Sequence, residues 1–257
     1  MKKYGLPINL PQIAKYDMKI INQWSKYLFI FLLLSPMWSH GQNLESILER
    51  HFEAIGQENL VAMRSIVMEA REMEGFSSGK KYSITKKYPN KMRIEGKWQE
   101  RVYVKAFDGT RAWTIAPWTG VHTAQLMTDR ERNLFLVDVG IGSPLYDYGL
   151  GNVLNLIGSE RADDANHYVI RSTTNSGFYV DYLIDKKSYM IHLVRIYEED
   201  QIDKVAYEVI YKNYKNLGGV SIPFGFEKRI DRSVTSIVID DIVFGQGASN
   251  SIFNKPE

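Results

Sequence analysis

The sequence predicts a mainly β (α+β) fold: a curved, incomplete antiparallel β-barrel of about 10–11 strands with an N-terminal helix and a helical lid. Three observations lead to this prediction. From Ile66 onward, short segments rich in Val, Ile, Tyr and Phe are separated by Gly, Asn and Asp at intervals of about ten residues, which is typical of antiparallel sheets. An amphipathic segment precedes these strands, and a capped helical segment interrupts them. Because so many strands rarely form one flat sheet, we expect the sheet to curve.

The N-terminal helix is predicted from apolar residues at three- and four-residue spacing: Leu44, Ile47, Leu48, His51, Phe52 and Ile55. Asn43 is a suitable N-cap and Gly56 a suitable stop. A shorter helical piece is predicted at residues 58–64. His51 lies on the apolar stripe of the first helix. A packed histidine is favoured there over a metal ligand, because no second His or carboxylate has metal-binding spacing on that face.

The strands are predicted from alternation with a period of two residues. The alternation is clearest in three sets of residues, each facing one side of its strand: Val102, Val104 and Ala106; Val205, Tyr207, Val209 and Tyr211; Ile237 and Ile239. Asp108-Gly109 predicts a hairpin turn after segment 101–107, and Asn175-Ser176-Gly177 predicts one after segment 168–173.

A further helix is predicted in the middle of the strands. Thr128-Asp129-Arg130-Glu131 has the Ser/Thr-x-x-Glu form of a capping box. The apolar residues Leu134, Phe135 and Val139 follow it before Gly140. A helix inserted between strands of a curved sheet has to lie on one face of the sheet or over its opening. It is therefore a candidate lid.

Residues 1–41 have the features of a secretory signal peptide. Basic residues up to Lys26 precede the apolar stretch 27–34, and Ser39-His40-Gly41 supplies a small-x-small end, which predicts cleavage before Gln42. The apolar run of about eight residues is well short of the roughly 20 needed to span a bilayer as a helix. No stable membrane anchor is therefore expected after cleavage, and a retained anchor is the alternative.

Residues 42–257 are predicted to form one domain, since no linker or repeat divides them. Met18 would be the more typical translation start. Of the 32 Lys and Arg residues, five lie in residues 1–41, and of the 30 Asp and Glu residues, one does. The remaining domain carries a formal charge of about −2, so no overall charge favours nucleic acid as a partner.

The residue patterns of common catalytic and metal sites are absent from the sequence. The chain has no Cys, which excludes disulfides, thiolate catalysis and Cys-ligated metals. It also has no G-x-S-x-G, H-E-x-x-H, Walker or Rossmann motif. The acidic pairs Asp163-Asp164 and Asp240-Asp241 are interpreted as solvated strand ends rather than calcium ligands. We therefore predict no enzyme, no cofactor and no metal site.

Four segments carry a family resemblance. They are FDGTRAW at 107–113, KYPNKMR at 87–93, the segment 239–253 that ends in Ser-Ile-Phe, and SPLYDY at 143–148. The first three resemble the DGKxxW hairpin, the basic-Pro-x-x-aromatic-Arg strand entry and the closing strand with its LF tail of one family. The fourth resembles the GPLVDY stretch of the less-studied members of that family, which carry the sorting-protein name. That family comprises the periplasmic lipoprotein carriers and outer-membrane lipoprotein-sorting proteins (a LolA/LolB-like fold).

The resemblance implies an incomplete barrel with helices over its hollow, a periplasmic location, and binding of lipid or of the acyl chains of a lipidated protein. The carriers usually place a basic residue directly before the Pro, where this chain has Tyr88, and they lack the region of residues 146–148. A relative with a different ligand is therefore expected. Two other functions stay open: a cell-envelope sensor or regulatory module with a protein partner, and a hydrolase with an unrecognised site.

The predicted ligand-binding residues are large aromatic side chains near the hollow and the predicted lid, together with the strand-entry arginine: Arg93, Trp98, Tyr103, Phe107, Trp113, Trp118, Tyr146 and Tyr148. A concave apolar face has to be plugged by side chains, covered by helices or filled by a ligand. Ordinary core packing is the alternative for each single ring. Their clustering before and within the lid region favours a pocket.

Overall fold

The computed structural model describes residues 43–74, 79–174, 178–198 and 201–257. The chain divides into two units, Met1–Gly41 and Gln42–Glu257. The predicted signal peptide and the predicted turn at Asn175-Ser176-Gly177 lie outside the described residues. Within the described ranges, no helix has the length and apolar character that a membrane crossing requires.

Three α-helices occur at the predicted places: α1 (Leu44–Ile55), α2 (Gln57–Met63) and α3 (Asp129–Leu136). Helix α1 begins where the Asn43 side chain accepts a hydrogen bond from the Ser46 N–H at 2.8 Å. It ends at Gly56, whose φ of 69° is readily accessible to glycine. Both ends are fixed by local sequence, which is why the pattern alone predicts them.

The strands form one antiparallel sheet in the order β6-β5-β4-β3-β2-β1-β13-β12-β11-β10-β9-β8-β7. Their bounds are β1 Ser65–Glu74, β2 Lys80–Lys87, β3 Lys91–Trp98, β4 Arg101–Phe107, β5 Ala112–Ile115, β6 Gln125–Leu126, β7 Val153–Ala162, β8 Ala165–Thr173, β9 Tyr179–Asp185, β10 Ile191–Glu198, β11 Gln201–Leu217, β12 Val220–Ile230 and β13 Ser233–Phe244. Two 3₁₀ turns, Pro117–Thr119 and Asn250–Phe253, complete the described elements.

The sheet is an incomplete barrel, as predicted, because β6 and β7 are its two edges and do not pair with each other. The predicted count of about 10–11 strands was low, since the described residues form a sheet of 13 strands. One reason is that β6 has only two residues, too few for alternation to be visible in the sequence. Pairing of the first strand with the last, from Ile66 opposite Phe244 to Glu74 opposite Thr235, joins the two halves of the sheet.

The core forms where the helices pack against one face of the sheet. Helix α1 contributes Ile47 to a cluster with residues of β8, β9 and β10, and α2 contributes Leu60 to a cluster with residues of β1, β2 and β13. Both side chains are 1% exposed. Burial of an aliphatic side chain of this size contributes about 1.5–3 kcal/mol to folding. The two helices are thereby fixed on the face of the sheet that also bears the candidate site.

Candidate functional site

A cavity of about 620 Å³ lies between the helices and the sheet. This volume is within the range of about 300–1,000 Å³ that is typical of small-molecule sites. Its walls come from both halves of the sheet and are mainly aliphatic, including Ile66, Met68, Ile84, Ile196, Ile222 and Ile239. The cavity is therefore suited to an apolar ligand.

Strand alternation explains which residues face the cavity. On β1, Ile66 and Met68 line it, and on β2 Tyr82, Ile84 and Lys86 do so. These residues are two positions apart, and successive side chains of a strand point to opposite faces. On these two strands, one face of the sheet thus lines the cavity.

Helix α3 and the residues that follow it cover part of the cavity, and we call α3 the lid helix. Its N-terminus has the predicted capping box, in which the Glu131 carboxylate accepts hydrogen bonds from the N–H of Thr128 at 2.8 Å and from its hydroxyl at 2.9 Å. Leu134 and Phe135 of the helix and Val137 after it line the cavity. The predicted lid is therefore a helix with an apolar face toward the hollow.

A buried lysine fastens the end of the lid helix to the sheet. The Lys86 side chain is 7% exposed and its Nζ donates to the Asp138 carbonyl at 2.6 Å and to Asp138 Oδ2 at 3.0 Å. The Tyr182 hydroxyl donates to the carbonyl of Val137 at 3.2 Å. These bonds hold the two residues that follow the lid helix against β2 and β9. Sequence reasoning missed Lys86, because one basic residue in a strand carries no signal of burial.

Three tyrosines of β11 place phenol groups along a mainly aliphatic wall: Tyr207, Tyr211 and Tyr214 line the cavity. Burial raises the pKa of Tyr207 to about 12 and raises the pKa values of Tyr211 and Tyr214 further, so all three phenols are neutral. The Tyr214 hydroxyl donates to the Ile191 carbonyl at 2.8 Å. The alternation of Tyr207 and Tyr211 was visible in the sequence, although these residues were not among the predicted ligand-binding ones.

His51 lies at the cavity wall and joins three segments of the chain. Its Nδ1 lies 2.6 Å from the Tyr189 carbonyl oxygen, and its Nε2 lies 2.7 Å from Ser143 Oγ. Burial lowers the pKa of His51 to about 4, so the ring is neutral at pH 7. In the neutral ring, the Nδ1–H donates to the Tyr189 carbonyl, and the unprotonated Nε2 accepts from the Ser143 hydroxyl. This agrees with the predicted packed histidine.

The mouth of the cavity contains an exposed tryptophan and several charged side chains. Trp118 is 47% exposed and lies in the 3₁₀ turn after β5. Lys105 of β4, Glu131 of the lid helix and Lys228 of β12 also line the cavity. The wall is thus mainly apolar, and charged side chains are among its more exposed residues.

Of the eight predicted ligand-binding residues, the structure places Trp118 in the cavity lining. Two others lie beside it: the ring centre of Trp98 is 6.4 Å from that of Trp118, and the ring centre of Tyr103 is 5.8 Å from it. These three rings form an aromatic group at the mouth. They come from β3, β4 and the 3₁₀ turn, which the hairpin connections bring together.

Arg93 and Trp113 lie against the C-terminal segment, outside the cavity lining. The Trp113 indole N–H donates to the Phe253 carbonyl at 2.7 Å, and Arg93 Nη1 donates to the Ile252 carbonyl at 2.8 Å. Trp113 packs with Val104 and Ala106, which face away from the cavity-lining Lys105. Its neighbour Thr114 points into the cavity instead.

Phe107, Tyr146 and Tyr148 pack around the lid region without lining the main cavity. Phe107 is buried in a cluster that includes Phe135 of the lid helix. Tyr146 lies edge-on to Phe52 of α1, with ring centres 5.5 Å apart. The Tyr148 hydroxyl donates to the Ile141 carbonyl and accepts from Gln57 Nε2 at 3.0 Å. The structure therefore distributes the predicted residues over separate places rather than one.

Sequence comparisons identify no relative of the chain. No family model matches it, and no curated protein matches it.

Comparison of structures gives three similar crystal structures. One is a domain named for outer membrane lipoprotein sorting from Vibrio parahaemolyticus, with a TM-score of 0.58, 12% identity and coverage of 83% of this chain and 97% of that one. The second is a LolA superfamily protein from Nitrosomonas europaea, with a TM-score of 0.58, 15% identity and coverage of 83% and 98%.

The third is a DUF1329 family protein from Desulfovibrio piger, with a TM-score of 0.57, 12% identity and coverage of 81% and 97%. At these identities the likeness concerns the fold. It spans almost the whole of each compared chain. The protein therefore has a LolA-like fold.

Proposed function

We propose that this protein binds and carries a hydrophobic ligand in its cavity, a lipid or the acyl chains of a lipoprotein, without catalysis. The observation that supports this most is the apolar cavity between the lid helix and the sheet. We further propose that the protein acts in the periplasm after cleavage of residues 1–41, and that an envelope protein partner supplies or receives the ligand.

The energetics favour an acyl chain as the occupant. Each CH₂ group moved from water to an apolar wall contributes about 0.8 kcal/mol. A chain buried along the aliphatic wall would therefore gain several kcal/mol, enough to offset the cost of ordering it. The neutral tyrosines of β11 would lie alongside the ligand without adding charge.

The contacts of the lid helix suit reversible loading. Leu134 and Phe135 of its body line the cavity, and apolar contacts such as theirs can separate without leaving unpaired polar groups. Its end is held by the Lys86 and Tyr182 hydrogen bonds. We propose that the helix moves about this fixed end when a ligand enters.

The hydrolase alternative has one observation in its favour, the 2.7 Å contact between His51 Nε2 and Ser143 Oγ. Two features support a packing role for the pair instead. Ser143 is 2% exposed, and its Oγ also accepts a hydrogen bond from the Leu145 N–H at 3.1 Å. The hydrogen bond between His51 Nε2 and Ser143 Oγ therefore joins α1 to the segment that follows α3.

A cavity-filling substitution tests the proposed function. Ile84→Trp places a larger side chain in the cavity and should lower the affinity for a fluorescent fatty acid by about tenfold or more, because the acyl chain and the indole compete for one volume. Ser83→Trp is the matched control: Ser83 is the adjacent residue of β2 and faces the opposite side. Equal binding by both variants and the wild type would contradict a ligand site in this cavity.

A further inference from the structure

Two lysines stand at the mouth of the apolar cavity, on strands from different halves of the sheet. Lys105 lies in the middle of β4, opposite Thr114 of β5. Lys228 lies in β12, opposite Val209 of β11 and Thr235 of β13. Both side chains line the same cavity as the aliphatic wall. The fold therefore puts two ammonium groups beside the opening of a space suited to an acyl chain.

Neither lysine forms a salt bridge with a carboxylate of the described residues. No salt bridge within 4.0 Å involves Lys105 or Lys228 in the part of the chain that the structure describes, where other lysines and arginines do form ion pairs. Lys228 Nζ instead lies 4.3 Å from the centre of the Tyr207 ring, a cation–π contact. A half-buried cation without a counter-ion would gain from an anionic ligand.

The two lysines influence each other and have acidic residues in the vicinity. Burial lowers the pKa of Lys228, the charge of Lys105 lowers it further, and Glu72 opposes both effects. Glu131 and Asp138 are acidic residues in the cavity lining. The Glu131 carboxylate is already bonded to the N–H and hydroxyl of Thr128 in the capping box, and Asp138 Oδ2 accepts from Lys86 Nζ at 3.0 Å. The positive charge of the two lysines is thus only partly compensated by the protein.

We propose that the ligand is an anionic amphiphile whose acidic headgroup, a carboxylate or a phosphate, binds between Lys105 and Lys228 while its chain occupies the cavity. This inference rests on the proposed function and names the class of its ligand. The protein as a whole has little net charge, so the selectivity is local to the mouth. A neutral amphiphile would leave the half-buried Lys228 without an anion and would bind more weakly.

The test uses probes that share one alkyl chain and differ in headgroup: a carboxylate, a phosphate monoester and an uncharged alcohol. The wild type should bind the acidic probes roughly tenfold more tightly than the alcohol, the gain expected of charge-assisted hydrogen bonds at a partly exposed site. The variant Lys105→Gln/Lys228→Gln should lose this preference and bind the alcohol as the wild type does. The control Lys187→Gln/Lys204→Gln removes two exposed lysines outside the cavity lining and should keep the preference.

Salt provides a second measurement that needs no variant. Raising the salt from about 0.1 M to about 1 M shortens the screening length from about 10 Å to about 3 Å, so the preference of the wild type for acidic probes should shrink. If the wild type binds all three probes equally, the inference about the headgroup is overturned and the carrier function stands. If none of the three binds, the proposed function itself is overturned. The tighter of the two acidic probes identifies carboxylate or phosphate as the preferred headgroup.

Discussion

Trp113 and Trp118 are five positions apart and have different environments. Trp113 is 1% exposed and packs between β4 and the C-terminal 3₁₀ turn, whereas Trp118 is 47% exposed at the cavity mouth. The sequence shows that Trp113 and Thr114 face opposite sides of β5, but alternation cannot say which side is concave. That depends on the curvature of the complete sheet.

Alanine substitutions should separate the two roles. Trp113→Ala should lower the free energy of unfolding by about 3–5 kcal/mol, because it leaves a large buried cavity and an unpaired Phe253 carbonyl. Binding of a fluorescent fatty acid should be unchanged. Trp118→Ala should change stability by less than about 0.5 kcal/mol and weaken binding. Urea unfolding and probe titration of both variants measure these effects. Weaker binding by Trp113→Ala together with unchanged binding by Trp118→Ala would contradict the placement of the cavity.

His51 should make the protein less stable in mild acid. Its pKa is about 4 in the folded state against 6.5 in an exposed histidine, so the unfolded chain binds the extra proton first. Its contribution is complete above pH 6.5 and is lost as the pH falls toward 4. Between pH 6.5 and pH 5 the loss should be about 1.5 kcal/mol, because the unfolded histidine is half protonated at pH 6.5 and the slope reaches about 1.4 kcal/mol per pH unit only below that.

Burial also lowers the pKa of His167, which adds to the pH dependence of the wild-type stability. The His51→Asn variant therefore isolates the contribution of His51. We expect unfolding of the variant in urea to depend less on pH across this interval than unfolding of the wild type. Equal slopes would show that His51 is not buried in the neutral form.

At the scale of elements, α1 and α3 could be predicted because their signals are local. The N-cap of α1, its Gly stop and the capping box of α3 each depend on residues within a few positions. The lid as a functional unit could not be predicted in full. Its closing contact joins Lys86 to Asp138, which are distant in sequence and meet only through the packing of the end of α3 against β2.

Loss of this contact should free the lid helix. Lys86→Met removes the hydrogen bonds to Asp138 and should cost about 1–3 kcal/mol locally. Backbone hydrogen exchange should rise in residues 129–139, and a bound fatty-acid probe should dissociate faster. The control Lys87→Met changes the next residue, whose Nζ donates to the Ala248 carbonyl, away from the lid. If backbone hydrogen exchange in residues 129–139 is the same in both variants, Lys86 does not hold the lid helix in place.

At the scale of the whole molecule, the pairing of β1 with β13 makes the site possible. It brings β4, which carries Lys105, and β12, which carries Lys228, into one continuous sheet. The order of hairpins and the incomplete barrel could be predicted from turn signals and strand number. The cavity mouth could not, because β4 and β12 belong to halves of the sheet that are joined only when the first and last strands pair.

The claim that this cavity holds a hydrophobic ligand is tested most directly by native mass spectrometry. Residues 42–257, exported to the periplasm of a bacterial host and purified without detergent, should carry an added mass that organic extraction releases as a lipid or fatty acid. The stripped protein should then take up a fluorescent fatty acid at a ratio of about one to one. A ligand-free spectrum together with no uptake of the probe would contradict the account.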